Sequence, residues 1–359
     1  MFWLGVALLC SMPVLIFLAL VLLHIYVCVR YLRFVTRIFQ EKPLFVIPRG
    51  QPLDGAEEVR FPTRDGLTLC GCYLQAVPPR RGVILFGLEF GSNRWACRSY
   101  CDHLVEKGFD VFAFESRNQG DSDAMPRYEP LQWVTTNEVC DTEAALTYLK
   151  SRPDADPNGI GFFGISKGGS AGLIVAAQDP YIRCCVTDGS FATFTTLVPY
   201  MKHWFRIYNN HYTIQGLIPL WFYGLIGLTG IWRTQRVRRC RFPHLERYLP
   251  CIAPRPLLMI HGMADTYIKP DMTTRLFEFA REPKELWLVE NAKHNQALQV
   301  AGEDYRQRVL RFFETHLAQK TTTTNNTNKE KSVRSRKKQY GKPTRRFLAP
   351  LFRVFTLFL

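Results

Sequence analysis

The first 29 residues of this 359-residue chain carry no charged side chain, although the whole sequence has a formal net charge of +15. A charge-free stretch over residues 2–29 is long enough to cross a bilayer as one helix. No basic segment precedes it, and it exceeds the apolar core of a signal peptide, so cleavage is not expected. Arg30, Arg33 and Arg37 follow at once. The positive-inside bias then places everything after residue 30 on the cytoplasmic side of a single-pass membrane protein. The competing reading is an uncleaved secretory signal with a lumenal body.

Paired cysteines are also missing. Eleven cysteines are scattered without a CxxC pair or a regular spacing, which argues against a zinc site and against a disulfide framework. Neither a metal nor a cofactor is expected, and reduced thiols in a cytoplasmic compartment are the simplest reading. Acid is scarce in two places. Across residues 320–346 ten Lys and Arg face one acid, Glu330, and Arg233, Arg236, Arg238, Arg239 and Arg241 form a second basic group. The rest of the chain is close to neutral, which argues against a nucleic-acid-binding body. Both basic groups adjoin apolar sequence and fit an anionic membrane surface.

From residue 57 to 318 short apolar runs alternate with helical ones. Residues 30–56 read as a juxtamembrane linker, and residues 319–359 as a disordered basic tail with an apolar end. A hairpin over 58–61 and 67–74 turns at Asp65-Gly66. Strands are expected at 82–86, 110–114, 159–163, 181–187, 256–260 and 285–289. Helices are expected at 95–107, 137–151, 270–280 and 302–317. An antiparallel opening followed by βα alternation predicts a mostly parallel sheet with helices on both faces. The aromatic-rich segment 190–250 interrupts this alternation and is read as an inserted lid. Residues 207–232 within it are free of charge, yet a second membrane crossing there would tear the predicted sheet in two. The lid instead dips at most into the bilayer interface.

Gly164-Ile165-Ser166-Lys167-Gly168 joins the apolar run 159–163 to a small-residue helical stretch. A strand-to-helix corner that tight needs glycines on both sides and lifts the serine hydroxyl above the sheet. Two glycines around a serine arise by chance too often to carry the argument alone, so the context matters. A serine hydroxyl needs a base to take its proton, and the base needs an acid to fix its tautomer. On this architecture the partners follow the serine in the order acid, then histidine, each just after a strand. Asp265 and His294 meet that requirement. His261 competes as base but precedes the acid at a strand end, where it buttresses the loop.

A tetrahedral oxyanion needs two preset N–H donors. The backbone of Lys167, directly after the serine, supplies one. The loop after the strand at 82–86, Gly87-Leu88-Glu89-Phe90-Gly91, supplies the other, with Phe90 the best assignment. Glu89 serves structurally, and Arg117 and Asp121 form a salt link or turn rather than catalytic groups.

The corner at Ser166, the loop Arg117-Asn118-Gln119-Gly120-Asp121-Ser122 and the Asp265 and His294 segments resemble the α/β-hydrolase superfamily over residues 57–318. The resemblance implies Ser166 as nucleophile, Asp265 as acid and His294 as base. Gly-Ile-Ser-Lys-Gly-Gly is also similar to the corner of acyl-CoA and bile-acid acyl thioesterases. The departure is the first oxyanion loop, where Leu88-Glu89 replaces the usual His-Gly. The sequence thus predicts a membrane-anchored serine hydrolase acting on a lipophilic ester or thioester. A peptidase of the same fold and a non-catalytic membrane scaffold are the alternatives.

Overall fold

The computed structural model describes residues 2–40, 47–208 and 218–318. Strands β1 (Glu57–Pro62) and β2 (Thr68–Leu74) form the expected antiparallel hairpin, with Val59 opposite Gly71. Six further strands run parallel to one another: β3 (Gly82–Gly87), β4 (Phe109–Phe114), β5 (Ile160–Ile165), β6 (Ile182–Asp188), β7 (Leu257–Gly262) and β8 (Lys284–Val289). The eight strands order as β1-β2-β4-β3-β5-β6-β7-β8, with β2 antiparallel to β4. The inner strands lack polar alternation because both faces are covered; β5 reads Ile-Gly-Phe-Phe-Gly-Ile and is buried at every position.

One face is covered by α3 (Thr136–Ser151), α4 (Ser166–Gln178) and α8 (Pro270–Glu278). The other is covered by α2 (Cys97–Glu106) and α10 (Glu303–His316), with the short α9 (Ala297–Ala301) beside them. Phe313 of α10 is fully buried among the aromatic rings of Phe109 and Phe163. Helix α3 starts at a capping box, where Thr135 and Glu138 satisfy each other's backbone and side-chain groups.

The lid is helical: α5 (Thr193–Tyr208), α6 (Leu220–Arg238) and the single turn α7 (Leu245–Tyr248). Residues 209–217 of the expected lid, and the expected disordered tail at 319–359, lie outside the described residues. The insertion leaves the sheet at β6 and returns at β7, and these two strands are hydrogen-bonded neighbours. The insertion therefore leaves the C-terminal end of β6 and re-enters at the N-terminal end of β7 as a crossover, and the strands before and after it lie in one sheet.

The N-terminal helix α1 (Phe2–Gln40) corrects one boundary. The linker was expected to start at residue 30, but the helix takes in its first eleven residues, to Gln40. Residues 30–40 contain neither Gly nor Pro, so no breaker stops it there. Its window Ser11–Arg37 is long and apolar enough to cross a membrane, and it alone passes that test among the described residues. At about 1.5 Å per residue the helix is longer than a bilayer core of about 30 Å. The far end packs on protein. Val27, Leu32 and Val35 are buried with Phe222 and Ile226 of α6, and the His24 ring meets Phe222 edge-on at 6.1 Å.

Candidate active site

Ser166 is the first residue of α4 and sits directly on the end of β5. Its φ is 49°, a left-handed conformation that L side chains avoid unless the surroundings enforce it. The surroundings do so by crowding. A Cβ at Gly164 would stand 2.5 Å from the Gly169 Cα, and one at Gly168 would stand 2.2 Å from the Leu88 carbonyl oxygen. The sequence needs both glycines because β3, β5 and α4 converge here.

Asp265 lies on the loop after β7 and His294 on the loop after β8. All three side chains are buried, and they meet. Ser166 Oγ stands 2.9 Å from His294 Nε2, and His294 Nδ1 stands 2.7 Å from Asp265 Oδ2. The other carboxylate oxygen, Asp265 Oδ1, accepts from the backbone N–H groups of Tyr267 (2.8 Å) and Ile268 (2.9 Å). That arrangement holds the carboxylate edge toward His294, which keeps the proton on Nδ1 and leaves Nε2 to accept from the serine hydroxyl.

His261 has the buttressing place expected of it. It is fully buried, with Nε2 2.8 Å from the Ile268 carbonyl and Nδ1 3.1 Å from the Thr273 hydroxyl. Burial pushes its pKa down, so a neutral ring donates from Nε2 and accepts at Nδ1. Arg117 is likewise structural: it holds Asp141 of α3 at 2.7 Å and Asp65 of the first turn at 2.6 Å. Asp121 pairs with Arg94 at 2.7 Å.

Lys167 occupies the first turn of α4, where backbone N–H groups lack helical partners. Phe90 lies on the loop after β3. In that loop the Gly91 N–H donates to Gln119 Oε1 and the Ser92 N–H to the Glu89 carbonyl, which leaves the amides before them, that of Phe90 included, as candidates for the second donor. The Lys167 side chain adds something the sequence does not signal. Its ammonium is buried, donates to the Leu131 carbonyl (2.6 Å) and Glu138 Oε1 (2.8 Å), and stands 5.4 Å from the Phe90 ring centre. Burial works to raise the Glu138 carboxyl, but the Lys167 charge and bonds from Lys167, Thr135 and Tyr128 override it and hold it below its ordinary value. The capping residue of α3 is thereby tied to the serine corner.

Two other features escaped the sequence. Aromatic rings wall the site: Tyr267 lies 5.1 Å and Phe191 6.5 Å from the His294 ring, with Trp133 and Tyr200 behind them. Their positions 133, 191, 200 and 267 are scattered along the chain, so no local pattern announces the wall. Glu89 was expected to be structural, but its partner was not expected: it is buried and accepts a hydrogen bond from the Asn295 side chain, next to His294.

Fold and site together define a serine hydrolase built on the α/β-hydrolase fold. The sequence model of the prolyl oligopeptidase family matches residues 132–320, more than half of the chain, and the chain belongs to that family. The dienelactone hydrolase family model matches residues 72–187. An uncharacterized protein (YfhR) of Escherichia coli O157:H7 is 28% identical over 268 residues, 72% of this chain and 80% of its own length. A thiohydrolase of Eupenicillium brefeldianum is 30% identical over 38% of this chain and 44% of its own. Among solved structures, an esterase of Pyrococcus furiosus (Pf2001) has a TM-score of 0.57 at 22% identity, covering 77% of this chain and 98% of that one. That likeness is one of fold.

Proposed function

We propose that the protein hydrolyses an acyl ester or thioester of a lipophilic substrate through an acyl-enzyme on Ser166. The observation that carries the reading is the contact chain from Ser166 Oγ through His294 to Asp265, at 2.9 and 2.7 Å. Ser166 Oγ attacks the acyl carbonyl carbon while His294 Nε2 takes its proton. The Lys167 and Phe90 amides receive the developing oxyanion. Collapse breaks the bond to the leaving alcohol or thiol, which takes the proton from His294. Water, deprotonated by the same nitrogen, then attacks the acyl-enzyme and releases the acid and Ser166.

The lipophilic part of the reading is supported by the aromatic wall and by α1, whose far end packs into the lid beside the site. The similarity to a thiohydrolase points to acyl chemistry on a sulfur leaving group. Ten free thiols among the described residues fit a catalytic part on the cytoplasmic side. A fluorophosphonate probe should label the wild-type protein and not Ser166→Ala; equal labelling of both would sink the mechanism.

The family match favours a second reading, a peptidase of the same fold. A substrate amine needs a free carboxylate near the serine, whereas Glu138 is already committed to Lys167. Turnover of aminoacyl arylamides above that of acyl esters and acyl thioesters would select the peptidase.

A further inference from the structure

We infer that Glu89 is a positioning residue for this reaction, its buried carboxyl locking the loop after β3 to the loop that carries His294. The inference rests on the proposed role of Ser166 and adds a residue to it. Glu89 stands one position before Phe90, and its carboxyl accepts from the side chain of Asn295, one position after His294. One side-chain contact thus joins the segment expected to hold the oxyanion to the segment holding the base. Asn295 itself adopts φ of 56°, so its loop is strained and depends on outside contacts to keep its shape. On the other side of the same loop, Asn93 exchanges two hydrogen bonds with the Gly50 backbone, both at 2.8 Å. The Glu89 contact is what fixes the loop on the His294 side.

The charge state follows from the neighbours. Glu89 is 3% exposed. Asp188 faces it from β6, Tyr100 from α2, and Asn295 from the loop after β8. Lys167 of α4 and Glu138 of α3 line the same small cavity but are paired with each other. Among the described residues, the one ammonium lining that cavity is thus engaged by Glu138 rather than by Glu89. Burial, ahead of any other influence, pushes the carboxyl up to about 8; the Asn295 bond pulls the other way and Asp188 adds to the rise. Below that value the group is a neutral acid. Above it, a negative charge enters the very loop that must stabilise an oxyanion, and the transition state is opposed.

The test is a pH–rate profile on the full-length protein with a soluble short-chain thioester or ester. Wild-type kcat should fall on the alkaline side with a midpoint near 8. Glu89→Gln, uncharged at every pH and still able to accept from Asn295, should keep kcat at pH 7 and lose that limb. Glu89→Ala should lower kcat on the order of 10²-fold with little change in KM, as a loosened catalytic loop does. Asn295→Ala should reproduce that loss, and the double variant should lose no more than either single one. If Glu89→Gln falls with Glu89→Ala, or keeps the alkaline limb, the inference is overturned. Should Glu89→Ala fail to fold, Glu89→Gln and Asn295→Ala decide the matter. Fluorophosphonate labelling separates the two levels: an unlabelled wild type defeats the role of Ser166, whereas a labelled wild type with an unimpaired Glu89→Ala defeats only the positioning role.

Discussion

Asp265 shows how much of the chemistry is set by backbone amides. Its Oδ1 is held by the N–H groups of Tyr267 and Ile268, so only Oδ2 faces His294. In Asp265→Asn the amide oxygen has to take the Oδ1 place, which turns the NH2 group toward His294 Nδ1. The imidazole then moves its proton to Nε2 and can no longer accept from Ser166. We expect kcat to fall roughly 10³–10⁴-fold with KM and thermal melting nearly unchanged. A loss under tenfold would mean that another group orients the base. At this scale the sequence was unusually readable. Ser166, Asp265 and His294 sit at strand ends in an order fixed by the architecture, so the pattern locates them without coordinates. Glu89 and Asn295 lie 206 positions apart in segments with no common pattern, and only the closed sheet brings them together.

Among elements, a buried cation ties α3 to the opening hairpin, beside the Arg64–Glu143 pair and the stacking of Phe61 on Tyr148. Arg117 bridges Asp141 on α3 and Asp65 on the β1–β2 turn, and burial raises the Asp141 carboxyl to about 6 even though the guanidinium pulls it down. Arg117→Met leaves Asp141 buried without its partner and should cost about 3–5 kcal/mol in urea unfolding. Adding Asp141→Leu should recover much of that loss; if the double variant is as weak as the single one, packing rather than charge is responsible. The strands and most helix positions follow from hydropathy alternation and turn residues. The extent of α1 did not, because arginines every three or four residues read equally well as a solvated linker or as a helix face. Its burial against α6 depends on which apolar faces meet, and composition does not encode that.

For the molecule as a whole, the buried acids set a pH trend. Burial raises Glu89 from 4.5 to about 8 and Asp188 from 3.8 to about 7. The folded state therefore binds these two protons more tightly than the unfolded chain does. Their contribution to stability falls as pH rises between the unfolded and folded values and is flat outside that window. The melting temperature of the double variant Glu89→Gln with Asp188→Asn should accordingly decline less than that of wild type between pH 5 and pH 8, a comparison in which all other titrating groups cancel. Parallel curves would show that neither carboxyl enters the folded protein protonated.

The adjacency of β6 and β7 has a further consequence. Residues 189–256 leave the C-terminal end of β6 and return, three rungs back, at the N-terminal end of the parallel β7, so to the sheet they are one crossover connection. Closing a longer or shorter loop between fixed ends changes the entropy only logarithmically, about 0.6 kcal/mol per doubling. Ser190 and Phe191 bond to Ser166 and Ser170, and Leu245, Leu249 and Ile252 belong to the core, but between those anchors the segment that gives Tyr200 to the pocket wall can be exchanged without shifting the register that sets Ser166, Asp265 and His294. A graft of another lid between those anchors should therefore redirect substrate choice while leaving the contacts of Ser166, His294 and Asp265 in place.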